Sequence, residues 1–600
     1  MNAPERSAAI PVPVPAWAGE LPDGRDVWTP MRDGTRLAAT VWLPAPRGRH
    51  PVLLARTPYG RAPYGPGLRL DVARLLSAGY AVMVQDVRGT GESEGDLRFL
   101  TGEAADGHDT VTWTARQPWC DGQVGMFGDS YLGIAQLLAA SERPDGLRAV
   151  APSVCPVGLH DVVYDNGVVR LGVILPVLAT VMAPLQLARR ERLHAGQARI
   201  QQREARLPGE AQLQRGQTRL RLGENGRSAT PAAAPAAVPA AVPASPAARL
   251  GELLRRLPVE DQPEITELFP FYADWLAHPD PSHELWRDAD LEARYDRIEV
   301  PALLSTGWYD YFRDSTIRTY QALRDRARLV VGPWSHALRE RSLAGRDHGD
   351  HASGEAVDWT GLHLDWFGHW MRGTPLRDDA RVRVFVTGAC EWRAMAGWPP
   401  EGEAVRYHLG DGGSLGPEAA LRACFLSDPA DPVPTMGGDV VELLPPGPGP
   451  VDQRPLAGRS DVLRHTTGPL PAPLEVMGAA ELVVTAESDA RSFTVTGKLV
   501  DVHPDGREEI LVDGIAHVAG GATQLAGGDA QPETARVLLG DLAHVFGAGH
   551  RVRVEVAGSN FPKFARHPAL ARITISAPSY LLLPVTGRPR SSRDAVRPRS

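Results

Sequence analysis

The sequence predicts an α/β domain that is interrupted by a helical insertion and followed by an all-β domain. In the first half, short apolar runs at 51–56 and 81–85 alternate with helical stretches, as strands alternate with helices in a mostly parallel sheet covered on both faces. Between 156 and 297 this alternation stops. Past Arg372 the chain changes to short strands of alternating polarity separated by Gly and Pro, a pattern typical of an antiparallel sandwich.

Composition limits the class of protein. At 600 residues, 43% of them hydrophobic, the chain is long enough for two or three domains. Its net charge of −8, without a basic block, argues against a nucleic-acid partner. The N-terminus lacks a signal sequence and no run approaches the length of a membrane span, so we expect a cytoplasmic protein without a membrane partner.

The cysteines agree with this location. They are scattered without CxxC spacing, which predicts neither a disulfide framework nor a zinc site and fits a reducing compartment. The four are Cys120, Cys155, Cys390 and Cys424.

The α/β domain is predicted for residues 25–155 and 298–372, after a flexible Pro-rich leader over residues 1–24. It opens with an antiparallel hairpin, because two apolar strands flank the turn Arg32-Asp33-Gly34. The predicted strands are 27–31, 37–43, 51–56, 81–85, 124–127, 147–153, 301–305 and 327–331, and the predicted helices are 68–78, 107–116, 134–140 and 314–324.

A serine stands where one of these strands passes into a helix. Ser130 lies in VGMFGDSYLGIAQ, on a tight turn that projects its hydroxyl above the sheet edge, beside the unpaired N–H groups that open the helix. Those donors suit an oxyanion. Taken alone, the pattern more often marks a plain strand-to-helix loop, and Gly133 stands one place late for G-x-S-x-G. Asp129, directly before the serine, has no assigned role.

Two further candidates follow strands of the same predicted sheet. Asp310 and His336 each lie just past a buried strand, and the carboxyl ends of parallel strands share one edge, so both can converge on Ser130. Taken singly, Asp310 could be a helix N-cap or a solvated carboxylate, and His336 could cap its strand. Their joint placement, in the chain order Ser, Asp, His used by α/β-hydrolases, favours catalysis. A serine hydroxyl needs a neutral imidazole as base, and a carboxylate fixes the tautomer of that imidazole.

Two other motifs predict structure rather than chemistry. The loop 86–95 resembles a dinucleotide-binding turn, but its third glycine comes one residue late and no helix opens after it, so we expect a structural turn. His348, Asp350 and His351 could suggest metal ligands. Without a third ligand at helical or hairpin spacing, a solvated loop is expected there, and no metal site.

The insertion over 156–297 is predicted to be a helical cap with a disordered Ala/Pro-rich segment at about 187–255. The part at 187–222 is charged and Gln-rich, and the Ala/Pro run at 230–248 cannot bury enough apolar surface to order itself. Helices are expected at 171–187 and 269–276. An insertion between sheet strands usually lies over the strand ends, where it can roof a site.

Six stretches together resemble the signatures of the cocaine esterase and X-Pro dipeptidyl-peptidase group of serine hydrolases, the CocE/NonD family. They are PVLLARTPYG, VMVQDVRGTGESEG, ADGHDTVTWTARQPW, GMFGDSYLGIAQ, PALLSTGWYD and LVVGPWSH. The form G-x-S-Y-x-G, with its late glycine, is that family's own, and the resemblance extends over about residues 25–590 outside the insertion.

The resemblance implies a site and a fold. It makes Ser130 the nucleophile, His336 the base, Asp310 its orienter, and the phenol of Tyr59 with the backbone N–H of Tyr131 the oxyanion hole, with no cofactor. It implies an α/β-hydrolase catalytic domain and, for residues 373–600, a jelly-roll domain that walls one side of the site. By pattern alone the latter could be a carbohydrate-binding module. Its landmarks are FVTGACEWR, DVLRHTTGPL, KLVDVHPDG and GSNFPKFARHP.

The expected function is hydrolysis of carboxylic esters, or of activated amides, through an acyl-enzyme, with a small molecule as partner. Nearer alternatives are an α-amino acid ester hydrolase, a β-lactam acylase and an X-Pro dipeptidyl-peptidase. Two alternatives come from other classes: a nucleotide-dependent oxidoreductase, supported only by the loop 89–95, and a binding protein on an inactive hydrolase scaffold. A homodimer is left open.

Overall fold

The computed structural model describes residues 21–62, 68–205, 246–519 and 532–586, and these form two large sheets. The strands of the first sheet are β1 (Arg25–Pro30), β2 (Arg36–Trp42), β3 (His50–Thr57), β4 (Ala81–Asp86), β5 (Cys120–Asp129), β6 (Leu147–Ser153), β7 (Ala302–Tyr309), β8 (Ala327–Ser335), β9 (Val382–Val386) and β10 (Glu391–Met395). They lie in the order β1-β2-β4-β3-β5-β6-β7-β8-β9-β10. Pairing is parallel from β4 through β9 and antiparallel at both ends of the sheet.

Helices connect and cover these strands. The described α-helices are α1 (Val72–Ser77), α2 (Glu103–Ala115), α3 (Tyr131–Ser141), α4 (Leu159–Val163), α5 (Leu171–Pro176), α6 (Ala183–Ala205), α7 (Pro246–Arg255), α8 (Pro263–Leu268), α9 (Phe271–Ala277), α10 (Arg313–Leu323) and α11 (Trp359–Arg372). A π-helical turn, Val177–Met182, joins α5 to α6.

The centre of the first sheet is buried on both faces. Every residue of β4 and of β7 is buried, as expected for parallel strands between helical layers. Helix α3 and helix α11 both pack on β5 and β6. Gly125 in β5 is needed for this packing, because a Cβ at that position would lie 2.7 Å from the ring of Phe367 in α11. The packed helices therefore hold the central strands, and with them their carboxyl ends, in fixed positions.

The second sheet contains ten strands from the C-terminal part of the chain. They are β11 (Glu403–Gly410), β12 (Ser414–Gly416), β13 (Arg422–Ser427), β14 (Val462–Thr466), β15 (Leu474–Ser488), β16 (Ser492–Val502), β17 (Glu508–Ala519), β18 (Glu533–Phe546), β19 (Arg551–Ala557) and β20 (Ala571–Thr586). Their order is β17-β16-β19-β14-β12-β11-β20-β15-β18, and β13 pairs with β20.

This sheet curls around a core of its own. Apolar side chains from its inner face, among them Leu482, Val495 and Ile573, are fully buried. Its two end strands approach each other, since a Cβ on Gly514 of β17 would lie 2.0 Å from the carbonyl oxygen of Leu538 in β18. The C-terminal part of the chain is thus a largely antiparallel all-β unit.

Buried polar groups join the two units. Arg313, 1% exposed at the start of α10, donates to the carbonyl oxygen of Leu539 in β18 at 3.4 Å and pairs with Asp314 at 2.8 Å. The backbone N–H of Asp541 donates to Asp314 at 2.9 Å, and Trp398 Nε1 donates to the carboxylate of Asp541 at 2.7 Å. Helix α10, the first helix after Asp310, is therefore anchored in the C-terminal β unit.

The expected domain boundary at 373 differs from the observed sheets. The stretch RVRVFVTG lies past Arg372, where the sandwich was expected to begin. Its strand β9 instead pairs in parallel with β8 and extends the first sheet, and β10 follows beyond it. Its residues are buried except Arg383, so the apparent alternation comes from one charged residue in an otherwise buried strand.

The expected disordered segment at 187–255 is wrong at both ends. Residues up to Ala205 continue α6, and Pro246–Arg255 is the helix α7, whose leucines Leu250, Leu253 and Leu254 are buried. The rest of that segment, with most of the Ala/Pro run, lies outside the described residues, as does most of the expected leader at 1–24.

The expectation that no run reaches the length of a membrane span also needs correction. Among the described residues, the continuous helical run Leu171–Ala198 is long and apolar enough to cross a membrane by length and composition. Pro176 and Pro184 interrupt the run in the sequence without ending the helix. Of its most apolar window, 56% is buried inside the molecule, as in a core helix.

Candidate active site

Ser130 lies on a strained turn between β5 and α3. Its backbone is at φ 60° and ψ −120°, a region that non-glycine residues rarely occupy. Its N–H donates to the carbonyl oxygen of Ser153 in β6 at 2.9 Å, which fixes the turn on the neighbouring strand. Gly133 explains the late glycine of the motif, because a Cβ there would lie 2.9 Å from the same carbonyl oxygen and 2.8 Å from Cβ of Cys155.

Asp310 and His336 lie together at the ends of adjacent parallel strands. Asp310 follows β7 and His336 follows β8, and Nδ1 of His336 lies 2.8 Å from Oδ1 of Asp310. Asp310 is fully buried. Thr306 Oγ1 donates to its other oxygen at 2.7 Å, and the N–H of Phe312 donates to Oδ1 at 3.2 Å. The carboxylate is thus held by three donors and turned towards the imidazole.

Tyr311 covers one face of the imidazole. Its ring is stacked on His336, with centroids 4.2 Å apart and planes at 19°. Phe312 meets the same imidazole edge-on, with centroids 5.9 Å apart. This contact was not predicted, although two aromatic residues follow the candidate aspartate directly in the sequence.

Tyr59 lies beside the serine. It follows β3 in the turn 57–60 and lines the same cavity as Ser130, whose side chain influences the phenol. Burial raises the pKa of Tyr59 to about 12, so the phenol stays a hydrogen-bond donor across the neutral range. Tyr131 is the first residue of α3, and its backbone N–H has no acceptor within the helix by position. Both predicted oxyanion donors therefore adjoin Ser130.

A buried ion pair supports the Tyr131 side chain from below. The phenol of Tyr131 donates to Glu103 at 3.0 Å, and Glu103 pairs with Arg56 at 2.5 Å, both charged side chains being almost fully buried. Tyr131 also accepts the N–H of Leu100 at 3.2 Å. Burial raises the pKa of Glu103, against the opposing influence of Arg56. These contacts fix the first turn of α3, which carries the backbone N–H of Tyr131.

Asp129, unassigned from the sequence, is engaged with arginine. Its carboxylate lies 2.6 Å from Nε of Arg69 and is 3% exposed. Burial raises its pKa, while Arg69, Arg339 and His336 act in the opposite direction. The charge of the Asp129 carboxylate is therefore already balanced by Arg69. The carboxylate is not free to bind a cationic group of a substrate.

An apolar cavity opens above Ser130. Four hydroxyl-bearing residues line it: Tyr59, Ser130, Tyr131 and Tyr311. The helical insertion supplies much of the wall, which agrees with its expected position over the strand ends. The other described lining residues are Phe99, Leu100, Pro156, Val162, Val173, Ile174, Val177, Leu178, Trp275 and Phe312. No Asp, Glu, Lys or Arg is among them.

The two remaining sequence motifs lie elsewhere. In the loop 86–95, the Ser93 hydroxyl donates to the carbonyl oxygen of Asp86 at 2.6 Å, and no helix begins until Glu103, so the loop is a structural turn as expected. The expected solvated loop around His348 is wrong for that residue, which is 3% exposed beside the ring of Phe385. Burial lowers the pKa of His348 to about 4.

The chain matches two family models. Residues 33–338 match the X-Pro dipeptidyl-peptidase (S15 family), and residues 376–598 match the X-Pro dipeptidyl-peptidase C-terminal non-catalytic domain. Cocaine esterase from Rhodococcus sp. (strain MB1 Bresler) is 35% identical over 572 residues, covering 90% of this chain and 92% of the esterase.

Solved structures show the same fold. An α-amino acid ester hydrolase superposes with a TM-score of 0.72 at 23% identity, over 94% of this chain and 96% of that one. An aminopeptidase from the marine sediment archaeon Thaumarchaeota archaeon superposes with a TM-score of 0.71 at 21% identity, over 98% and 100% of the two chains.

The resemblance inferred from the six sequence stretches is confirmed by these matches, which extend over both sheets and over the insertion within the first sheet. The chain belongs to the S15 family, together with cocaine esterase and the CocE/NonD hydrolases, and it is a serine ester hydrolase.

Proposed function

We propose that the enzyme cleaves esters with an uncharged, apolar acyl group, through an acyl-enzyme on Ser130. The observation that carries the proposal is the cavity above Ser130, whose described lining is apolar and aromatic apart from the hydroxyl groups of Ser130 and three tyrosines. An acyl group bound there would replace water with hydrocarbon contacts, which stabilises it by about 25 cal/mol per Å² of apolar surface buried.

The first chemical step uses the imidazole of His336. Because Nδ1 faces Asp310 at 2.8 Å, Nε2 is the nitrogen that takes the proton from the Ser130 hydroxyl as the oxygen attacks the ester carbonyl. Asp310 stabilises the imidazolium that forms. His336 then gives the proton to the leaving alcohol, and in the second half of the reaction it activates water to release the acid.

The negative charge of the tetrahedral intermediate falls on the former carbonyl oxygen. In our proposal the phenol of Tyr59 and the N–H of Tyr131 donate to this oxygen. The shared position of Tyr59 and Ser130 in the lining of one cavity supports the role.

An α-amino acid ester or an X-Pro peptide is a poorer match for this cavity. Both carry an ammonium group, and an ammonium buried without a partner costs several kcal/mol. The nearby carboxylates Asp129 and Glu103 are paired with Arg69 and Arg56. Among the described residues, the cavity thus offers no carboxylate to a substrate amine.

A matched pair of substrates tests the proposal. The p-nitrophenyl esters of isobutyrate and of alanine differ only in that a methyl group replaces the ammonium group. We expect kcat/KM for the isobutyrate ester to exceed that for the alanine ester by at least about 10²-fold, from the cost of an unpaired buried charge. Gly-Pro p-nitroanilide should not be cleaved measurably. Preference for the alanine ester would contradict the proposal and favour the α-amino acid ester hydrolase alternative.

We also propose an α/β-hydrolase fold for the first unit, a jelly roll for the second, and a cytoplasmic location. The parallel sheet β3–β9, with its strained serine turn and with Asp310 and His336 at strand ends, supports an α/β-hydrolase fold. The curled antiparallel second sheet supports a jelly roll. All four cysteines are free thiols, which supports a reducing, cytoplasmic location.

A further inference from the structure

A cluster of histidines and carboxylates lies in the second sheet, apart from the residues assigned to ester hydrolysis. Asp501 is at the end of β16 and is 1% exposed. Around it lie His503, in the turn after β16, His544 in β18, and His550, in the turn before β19. The side chain of His550 is 19% exposed, so the cluster has an opening to solvent.

The side-chain nitrogens converge on one carboxylate. Nδ1 of His550 lies 2.8 and 3.0 Å from the two oxygens of Asp501. Nε2 of His503 lies 3.1 Å from Oε2 of Glu509 and 3.4 Å from Oδ2 of Asp501. Nε2 of His544 lies 3.2 Å from the same Asp501 oxygen. Three imidazole nitrogens therefore lie within 3.4 Å of one carboxylate oxygen.

His544 is a further member of the cluster. Its Nε2 faces Asp501, and its Nδ1 lies 2.9 Å from the hydroxyl of Thr387. That hydroxyl also lies 3.0 Å from the carbonyl oxygen of Ala543. The imidazole of His544 is therefore held in place beside the other three residues.

The geometry of three of these residues suits a metal ion. The ligand atoms of Asp501, His503 and His550 all lie within 4.8 Å of one another. A tetrahedral ion with metal–ligand bonds of about 2.0 to 2.2 Å has ligand atoms roughly 3.3 to 3.5 Å apart, close to the observed contacts of 3.0 and 3.4 Å. Two imidazoles with one carboxylate favour Zn²⁺ or a similar transition metal over Ca²⁺ or Mg²⁺.

The backbone holds these ligands in place. Asp501 pairs with Glu509 of β17 on one side and with Val552 of β19 on the other, so the three strands form one rigid ladder beneath the cluster. The sequence carries a signal for this arrangement: Asp501 and His503 are two residues apart at a strand end, where such side chains point to the same face.

We propose that Asp501, His503 and His550 form a binding site for one Zn²⁺ ion that ties together the ends of β16, β17 and β19. Zinc binding requires the guanidinium of Arg507 to move away from Nδ1 of His503, which it contacts at 3.3 Å. Arg507 already pairs with Asp505 and Glu509 at 2.9 Å each, so it keeps its partners when it does so.

The test compares zinc content in matched variants of the full chain. Wild type, His550→Ala and His567→Ala are treated with EDTA, given equimolar Zn²⁺, desalted, and analysed for zinc per chain. His567 is a suitable control because it is a partly buried histidine of the same unit whose Nε2 contacts the Ser492 hydroxyl rather than a carboxylate. We expect one zinc per chain in wild type and in His567→Ala, and close to none in His550→Ala.

Two further measurements keep the test decisive. Melting temperature should rise with Zn²⁺ in wild type and not in His550→Ala, since an ion that binds only the folded chain stabilises it. Added Co²⁺ should give the visible absorption of a nitrogen- and oxygen-bound low-coordinate ion in wild type and in His567→Ala, but not in His550→Ala. If His550→Ala does not fold, His503→Asn takes its place. Equal zinc content in wild type and variant, or none in wild type, would overturn the proposal and leave a cluster held by protons.

Discussion

The phenol ring of Tyr311 lies flat against the imidazole of His336, with centroids 4.2 Å apart and planes 19° from parallel. Since Tyr311 directly follows Asp310, one loop holds the imidazole both at its edge, through the 2.8 Å contact with the carboxylate, and on its face. The imidazole is thereby restrained in two directions before any substrate arrives.

Tyr311→Ala should lower kcat by about 2- to 13-fold, because an aromatic pair contributes roughly 0.5 to 1.5 kcal/mol beyond the area it buries. Tyr311→Phe keeps the stacked ring and should keep kcat within about twofold. Steady-state kinetics with p-nitrophenyl isobutyrate measure both. We regard Tyr311 as a positioning residue, so equal losses in the two variants would show that its hydroxyl, not its ring, matters.

Tyr59→Phe should lower kcat by about 10² to 10³, the usual effect of removing one oxyanion donor, with little change in KM or in thermal stability. The phenylalanine keeps the ring and removes only the hydroxyl group. A loss of kcat below about fivefold, or a loss that acts mainly through KM, would show that Tyr59 is not an oxyanion donor.

The raised pKa of Tyr59 makes a second prediction. Burial raises its pKa to about 12, which favours the neutral phenol, so the donor is present below this pH and lost only above it. Wild-type kcat should therefore show no decline centred near pH 10, the ordinary value for tyrosine. A titration of kcat near pH 10 that disappears in Tyr59→Phe would contradict this.

Asp541 should make stability depend on pH. Burial, with the charge of Asp314 beside it, raises the pKa of Asp541 to about 7. Between the ordinary value of 3.8 and about 7 the folded chain holds a proton that the unfolded chain has lost, so the stability from this group is present at low pH and lost as pH rises towards 7.

Thermal unfolding at pH 5 and pH 8 tests this sign. The melting temperature should fall less between these pH values in Asp541→Asn than in wild type, because the amide does not ionise. Asp379→Asn, at an exposed carboxylate, is the control and should behave as wild type. An unchanged fall in Asp541→Asn would assign the pH dependence to other groups.

The placement of the site could be predicted because it depends on strand ends. Runs of apolar residues mark buried strands, and residues just after parallel strands share an edge, so Asp310 and His336 were correctly expected to lie close together. The strands themselves run longer than expected, to Tyr309 and Ser335, since their register continues through the glycines Gly307 and Gly332, which interrupt the apolar pattern.

Other features depend on contacts that no local pattern encodes. The stacking of Tyr311 on His336 is set by side-chain orientation, and the need for Gly133 arises from a backbone carbonyl on the neighbouring strand. The helix through Ala205 has a charged, Gln-rich sequence that suggested disorder, but its first turns are held by contacts such as that of Gln186 with the carbonyl oxygen of Gly89. In each of these places tertiary packing, and not the local sequence pattern, determined the structure.

The central claim is that Ser130 becomes acylated, with His336 as its base. Mass spectrometry of the intact protein after incubation with a fluorophosphonate, followed by peptide mapping, tests it most directly. We predict a single adduct on Ser130 in wild type, no adduct in Ser130→Ala, and labelling in His336→Ala that is slowed by several orders of magnitude, because the triad acts as a unit. An adduct on another residue, or equal labelling of Ser130→Ala, would contradict the account.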